Sequence, residues 1–253
     1  AGQLGLVEPQ LADLRKALHS FGGTKVHVLG DTIVDGYSQC SLLGGAAKSP
    51  TFSVKLERTD LFTGGAGIVA RHLRSAGAQV SFGTVLGDDE RKDFALRELA
   101  EAGVTCHAVI DRTRPTNYKE RFVAEGYKML QVDRVDNRLI SDRILRTLGD
   151  GLRASGADVV IMSDFRHGIF NRDSIGRFLE KVPPTALKVA DSQVANRWGN
   201  ILDFADFDLL TPNEREARFA LGDQDTIVRP LALRLFRRHG AATSSSSSVS
   251  AGR

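Results

Sequence analysis

The chain has 253 residues, with 34 Lys and Arg against 31 Asp and Glu (formal charge +3), 42% hydrophobic and 26% charged residues. That is one large domain able to bury a core without staples, and a balance so mild, with no basic run, one Trp and three Tyr, excludes a nucleic-acid binder. Two distant cysteines, Cys40 and Cys106, exclude a disulfide scaffold and a Cys-rich zinc site and fit the reducing cytoplasm; no apolar run reaches a membrane span and no signal-peptide pattern opens the chain.

Residues 9–21 carry Leu11, Leu14, Ala17, Leu18 and Phe21 at helical spacing with Gly22-Gly23 behind them, so residues 1–24 read as a helix and lead-in. A short strand over 25–29 runs into Gly30-Asp31. Residues 32–57, with Gly44-Gly45, Pro50 and an alternating 51–56, read as loops and exposed strands outside the core. From Gly64 the pattern becomes regular. A helix over 66–75 is closed by Gly77, and a buried strand follows over 79–86. An amphipathic helix over 89–102 turns Phe94, Leu96 and Leu99 inward and is stopped by Gly103; a strand follows over 104–110. Segments 118–123 and 128–132 form a hairpin around Glu125-Gly126. Ser141 caps a helix over 141–154. Strands over 158–162, 186–190 and 208–210 then alternate with helices over 173–181, 213–220 and 225–238.

This alternation predicts βαβ units around a mostly parallel sheet, an α/β fold occupying residues 25–240. Stretches 36–60 and 112–136 break the rhythm. They read as antiparallel strands that leave the sheet and form one small β flap, or lid. The tail, 241–253, contains five consecutive serines and is low-complexity.

Ligands of open α/β sheets bind beyond the carboxyl ends of the strands. There the sequence places Gly30-Asp31-Thr32-Ile33-Val34-Asp35, Ser163-Asp164-Phe165-Arg166-His167-Gly168, Asp191-Ser192-Gln193 and Thr211-Pro212-Asn213-Glu214-Arg215-Glu216. Four strand ends with acids or amides in register predict one shared polar site. Gly64-Gly65-Ala66-Gly67 opens a helix, where glycines let a ligand approach backbone amides. Gly65 to Ala70 also fits a dinucleotide fingerprint, but the segment before it, 56–60, is too polar for the buried strand that fingerprint needs. Lys48-Ser49 lacks the preceding glycine of a P-loop. The six histidines show no metal-ligand spacing, and His167 reads as a solvated loop residue.

In this order, at these strand ends, the motifs resemble those of the ribokinase-like (PfkB-type) carbohydrate kinases, most of all the branch acting on heptose phosphates. Besides the strand-end segments, 49–54, Gly64-Gly65-Ala66, and Pro115-Thr116 with Lys119 and Arg121 carry the likeness. The resemblance implies a three-layer α/β/α fold with a β lid. It implies ATP-dependent transfer of the γ-phosphate to a sugar hydroxyl with Mg²⁺, and a homodimer paired through the lid. It assigns Asp31, Asp35, Gly64, Gly65, Lys119 and Arg121 to the sugar or sugar phosphate. Asp191, Asn213 and Glu216 go to the nucleotide, with Asn213 and Glu216 organising Mg²⁺ partly through water. A fused nucleotidyltransferase domain is compatible with it.

Three departures stand out. Ile68 replaces the Asn that usually touches the sugar, and Ser192-Gln193 replaces Pro-Lys. The family's Gly-Ala-Gly-Asp motif, source of the catalytic base and of phosphoryl-stabilising amides, does not occur. The expectation is a kinase domain cut off before its base, with Asp164 as the nearest substitute. The alternative is a non-catalytic ribokinase-like binding or assembly domain of a larger protein.

Overall fold

The computed structural model describes residues 11–45, 52–193 and 201–239. The start of the N-terminal helix, the 49–51 part of the flap motif, Lys48-Ser49 and the serine-rich tail lie outside them. In chain order the elements are α1 Leu11–Ser20, β1 Lys25–Gly30, β2 Thr32–Gly45, β3 Phe52–Gly65, α2 Ala66–Ser75, β4 Gln79–Leu86, α3 Glu90–Glu101, β5 Thr105–Ile110, β6 Tyr118–Ala124, β7 Tyr127–Arg134 and α4 Asp142–Ala154. There follow β8 Val159–Asp164, α5 Arg172–Leu179, β9 Leu187–Ser192, a 3-10 turn Ile201–Asp203, β10 Leu209–Leu210, α6 Glu214–Leu221 and α7 Val228–His239.

Six strands form one sheet in the order β10-β9-β8-β1-β4-β5, every neighbour parallel. Both faces are covered, so its central strands are apolar on both sides. Val26, Val28 and Phe82 turn to the face of α2 and α3, packing with Ala66, Ala70 and Leu99. Leu29, Val160 and Met162 turn to the opposite face, against Leu148 and Leu152 of α4, Ile175 and Phe178 of α5, and Leu231 and Leu235 of α7. This gives three layers. Burying each such side chain contributes about 1.5–3 kcal/mol. Helix starts are set locally: Ser141 accepts from the Ile144 N–H, and Asn171 and Asn213 each build a capping box, worth about 1 kcal/mol apiece. Helix α1 buries none of its side chains.

The second sheet is the lid, in the order β3-β2-β6-β7. It joins the two stretches that interrupt the βαβ rhythm, with two differences from the sequence reading. First, β2 pairs β6 in parallel, so the lid is mixed rather than antiparallel. Second, residues 32–57 are not all outside the core. Ile33 and Val34 are buried at the start of β2, where Val34 packs against Ala95 and Tyr118 beside α3. Residues 56–60 are a strand, but a largely exposed one paired antiparallel with β2. No buried strand feeds the glycine turn, which removes the dinucleotide reading. The last helix starts at Val228 rather than 225, because Asp223 accepts from the N–H groups of Asp225 and Thr226 and holds that segment as a turn.

Candidate functional site

The site is built where β1 ends. A Cβ on Gly30 would run into the Ser163 carbonyl and Ala66, so β1, β8 and α2 converge there only around a glycine. Asp31 follows, 2% exposed. Its Oδ2 accepts from the backbone N–H groups of Phe165 (2.9 Å) and His167 (3.2 Å), which ties the loop after β8 to the end of β1. The sequence reading gives Asp31 to sugar hydroxyls; in the structure its Oδ2 is taken up by these two N–H groups and holds the loop after β8.

From Asp31 a row of acids follows the strand order β1, β8, β9, β10. Asp164, fully buried at the end of β8, accepts from the Arg166 N–H (2.8 Å) and Ser192 Oγ (3.0 Å) and pairs with the Arg166 guanidinium at 3.2 Å. Asp191 of β9 accepts from Thr211 Oγ1. Glu216, at the start of α6, accepts from the Asn213 N–H at 2.8 Å while Asn213 Oδ1 accepts from the Glu216 N–H at 2.9 Å. All four carboxyl groups are held above their ordinary range, first by burial. The neighbouring acid adds to this in three of them: Asp164 acts on Asp31, Asp191 on Asp164, and Asp191 on Glu216. A divalent cation beside Asp191 and Glu216 would relieve that strain. Glu216 Oε2 serves the cap, leaving Oε1 as its remaining acceptor, so the donor set suits a hard, oxygen-seeking ion such as Mg²⁺.

The other half is the glycine turn and the lid. Gly65, with φ +61°, caps α2, and a Cβ there would collide with the Asp31 carbonyl, which accepts from the Ala66 N–H. Gly64 lies under the Asp35 carboxylate, which a Cβ would displace. Asp35 pairs with Arg121 at 2.6 Å, and the guanidinium stacks over Tyr37. Lys119 is the register partner of Asp35 on β6. Lys119 and Asp133 both act on His167. His167 is 7% exposed, not solvated; Nδ1 lies 2.6 Å from Asn137 Oδ1, and burial, with the Lys119 ammonium second, pushes it down to about 4. Its Nε2, Thr63 Oγ1 and Ser163 Oγ are buried without a hydrogen-bond partner, and all three belong to segments that end at this edge. Such orphans are what a hydroxyl-rich ligand would satisfy.

Thus Asp35, Gly64, Gly65, Lys119 and Arg121 gather beneath the lid, and Asp164, Asp191, Asn213 and Glu216 gather along the sheet edge. Two arginines escaped the sequence reading. Arg114 pairs with Asp111 at 2.9 Å and donates to the carbonyls of His167, Arg138 and Leu139, bracing the lid's base; its place just before Pro115-Thr116 was the available signal. Arg166 adopts φ +64°, a left-handed conformation costing a non-glycine residue about 1–2 kcal/mol, and reaches Ser192 Oγ (2.8 Å) and the Gln193 carbonyl (3.1 Å).

A six-stranded parallel sheet with acids along its carboxyl edge, roofed by a four-stranded lid, is the architecture of ribokinase-like sugar kinases. Residues 24–236 match the pfkB family carbohydrate kinases, and the chain belongs to that family. It is 31% identical over 209 residues to the bifunctional protein HldE of Pelobacter propionicus, covering 80% of this chain and 42% of that protein. To HldE of Caulobacter vibrioides it is 30% identical over 233 residues, covering 87% and 44%. The chain therefore spans less than half the length of these curated relatives. Among solved structures, phosphofructokinase-2 from Escherichia coli in complex with fructose-6-phosphate superposes with a TM-score of 0.66 at 16% identity, covering 86% of this chain and 72% of that one. Ribokinase from Giardia lamblia superposes at 0.64 with 16% identity, covering 86% and 71%. No helix among the described residues is long and apolar enough to cross a membrane.

Proposed function

We propose that this chain binds a sugar phosphate of the heptose-phosphate type beneath its lid and serves ATP- and Mg²⁺-dependent transfer of the γ-phosphate to a sugar hydroxyl. Two groupings support the reading: a carboxylate with two lid cations, Asp35 with Lys119 and Arg121, and the acids Asp191 and Glu216 past the carboxyl ends of β9 and β10. Phosphoryl transfer asks a protein for positioning and charge neutralisation more than for covalent chemistry. Asp35 would accept from sugar hydroxyls against the bare backbone of Gly64 and Gly65, and Lys119 and Arg121 would offset the dianion of a sugar phosphate. Asn213 and Glu216 would hold Mg²⁺, directly and through water, and the metal would neutralise nucleotide phosphate charge. Lid closure would keep water from competing for the phosphoryl group. The lid exposes Phe52, Leu56, Tyr127 and Leu130, which suits pairing with a second copy through lid strands, and both described cysteines are free, which suits the cytoplasm.

A second reading, a binding or assembly domain without catalysis, is favoured by one observation. The carboxylates at the site are already engaged: Asp31 by backbone N–H groups, Asp35 by Arg121, Asp164 by Arg166 and Ser192, Glu216 by its cap. Titration calorimetry with a panel of sugars and sugar phosphates, beside a coupled ADP-release assay, separates the two. Sugar-dependent ADP release establishes the kinase. Saturable sugar-phosphate binding without ADP release establishes the binding domain. Absence of both removes the sugar assignment.

A further inference from the structure

One buried side chain at the base of the lid has every polar group but one accounted for. The backbone of His167 is pinned on both sides: its N–H donates to Asp31 Oδ2 at 3.2 Å, and its carbonyl accepts from the Arg114 guanidinium at 3.4 Å. The next residue, Gly168, takes φ +100° with the Arg138 carbonyl standing where a Cβ would be. The Gly168 carbonyl in turn accepts from the Ile140 N–H at 3.1 Å. The ring is fixed as well, with Nδ1 2.6 Å from Asn137 Oδ1. A carboxamide oxygen accepts, so the ring carries its proton on Nδ1 and keeps a bare lone pair on Nε2. That nitrogen is buried and has no hydrogen-bond partner. What stands near the ring is a polar face of the lid. Direct register pairs set Asp35, Lys119 and Asp133 abreast across β2, β6 and β7, with their side chains on one face. Lys119 and Asp133 both lie within electrostatic reach of the imidazole.

We propose that His167 determines sugar specificity, its Nε2 accepting a hydrogen bond from one hydroxyl of the sugar phosphate held under the lid. The inference rests on the reading of the lid site as a sugar-phosphate site. Buried polar atoms are nearly always partnered, so an orphan nitrogen beside a binding face calls for a ligand. The neighbouring carboxylates are engaged, Asp31 by backbone N–H groups and Asp35 by Arg121, whereas this lone pair is left over. The group it can take is narrow. Nε2 offers no hydrogen, so an ionised phosphate, which only accepts, gains nothing from it, while a hydroxyl donates to it. The phosphate therefore belongs to Lys119 and Arg121 and a hydroxyl to His167, which sets the direction of the ligand under the lid. Ring and backbone are both held before any ligand arrives, so the contact costs little ordering. A ligand lacking that hydroxyl would leave the nitrogen unpaired, which is how a buried polar site rejects a deoxy analogue.

The test is calorimetric titration of the full chain with mannose 6-phosphate and sedoheptulose 7-phosphate, and with their singly deoxygenated analogues. One deoxy analogue should bind the natural chain about three- to tenfold more weakly than its parent. His167→Leu should weaken the parent by a similar factor and no longer distinguish the two. His167→Gln, which also loses the Asn137 contact but carries an acceptor oxygen near the place of Nε2, should restore part of the discrimination. A ring that only fills space predicts instead that His167→Leu weakens parent and deoxy analogue alike, and that result overturns the proposal. Histidine ¹⁵N NMR of the natural chain needs no variant to fold: Nε2 of His167 should resonate as a bare nitrogen and shift on saturation with the sugar phosphate, while Nδ1 keeps its proton. An Nε2 that carries the proton, or that does not move at saturation, overturns the proposal and leaves the sugar site standing. Absence of sugar-phosphate binding in the natural chain removes the sugar site and the proposal with it.

Discussion

Replacing Asp31 with alanine is expected to cost stability. Its Oδ2 is the acceptor for two backbone N–H groups, at 2.9 Å from Phe165 and 3.2 Å from His167, in a position 2% exposed. Alanine leaves both donors stranded, at about 1–3 kcal/mol each, so the loss is about 2–6 kcal/mol before any compensation. Compensation exists: burial, and after it repulsion from Asp164, raise the Asp31 carboxyl, so removing its charge recovers part of the loss. Asparagine separates the two effects, because Oδ1 keeps an acceptor in place and the charge is gone. In urea unfolding at pH 7, Asp31→Ala should therefore lose about 2–4 kcal/mol and Asp31→Asn less than about 1 kcal/mol. The pH dependence has a definite sign. A carboxyl raised in the folded state contributes stability that is fully present below its ordinary value, near pH 4, and is lost as pH rises through the folded value. The stability of the natural chain relative to Asp31→Asn should thus fall between about pH 4 and neutrality. An alanine variant as stable as the natural chain, or an asparagine variant relatively weaker at pH 8 than at pH 5, would refute the reasoning.

Asp35→Ala should behave oppositely: its pair with Arg121 is partly exposed and worth about 1 kcal/mol or less, while sugar-phosphate affinity should drop at least about tenfold in calorimetry. Unchanged affinity would take Asp35 out of the sugar site. Arg166→Gly relieves a left-handed backbone strain of about 1–2 kcal/mol but strips the cation from a fully buried Asp164, and breaking such a pair costs about 3–5 kcal/mol. The variant should be destabilised at pH 7 and recover as pH falls and Asp164 takes up a proton; a more stable variant at neutral pH would show that the pair contributes nothing. Glu216→Gln should weaken Mg²⁺-dependent nucleotide binding at least about tenfold while leaving metal-free binding little changed, which titrations with and without Mg²⁺ would check.

The sequence revealed the sheet because parallel strands buried on both faces read as short apolar runs, each closed by a glycine, an acid or a cap. Ser141 and the Asn213–Glu216 box mark helix starts that the structure keeps. The Glu125-Gly126 turn marks the β6–β7 hairpin, since a local turn sets a local register. The β2–β6 pairing has no such signal: its strands are parallel and joined through most of the sheet's first half, so nothing local encodes their register. Asp31 and Asp35 look alike in one motif, yet the chain leaves the sheet between them, so one is sealed under a loop and the other carried onto the lid. The role of Arg166 has no signal in the sequence, because neither its positive φ nor its buried partner shows in composition.

The lid leaves the main sheet through a narrow neck. β2 departs at Thr32, β3 returns at Gly65 paired with Thr32 itself, and β6 joins with Tyr118 paired to Val34. Zipped so close to its base, the lid must turn as a plate, not peel strand by strand. Gly65 is both the last residue of β3 and the cap of α2. A swing of the lid would therefore reach the first turn of that helix through Gly65, and would reach α3 through Val34, Leu61 and Tyr118, which pack against Ala95 and Phe94. Lid angle and helix aim become one mechanical coordinate, so a substitution far out on the lid that stiffens it would alter how the helix N-terminus meets a ligand it never touches.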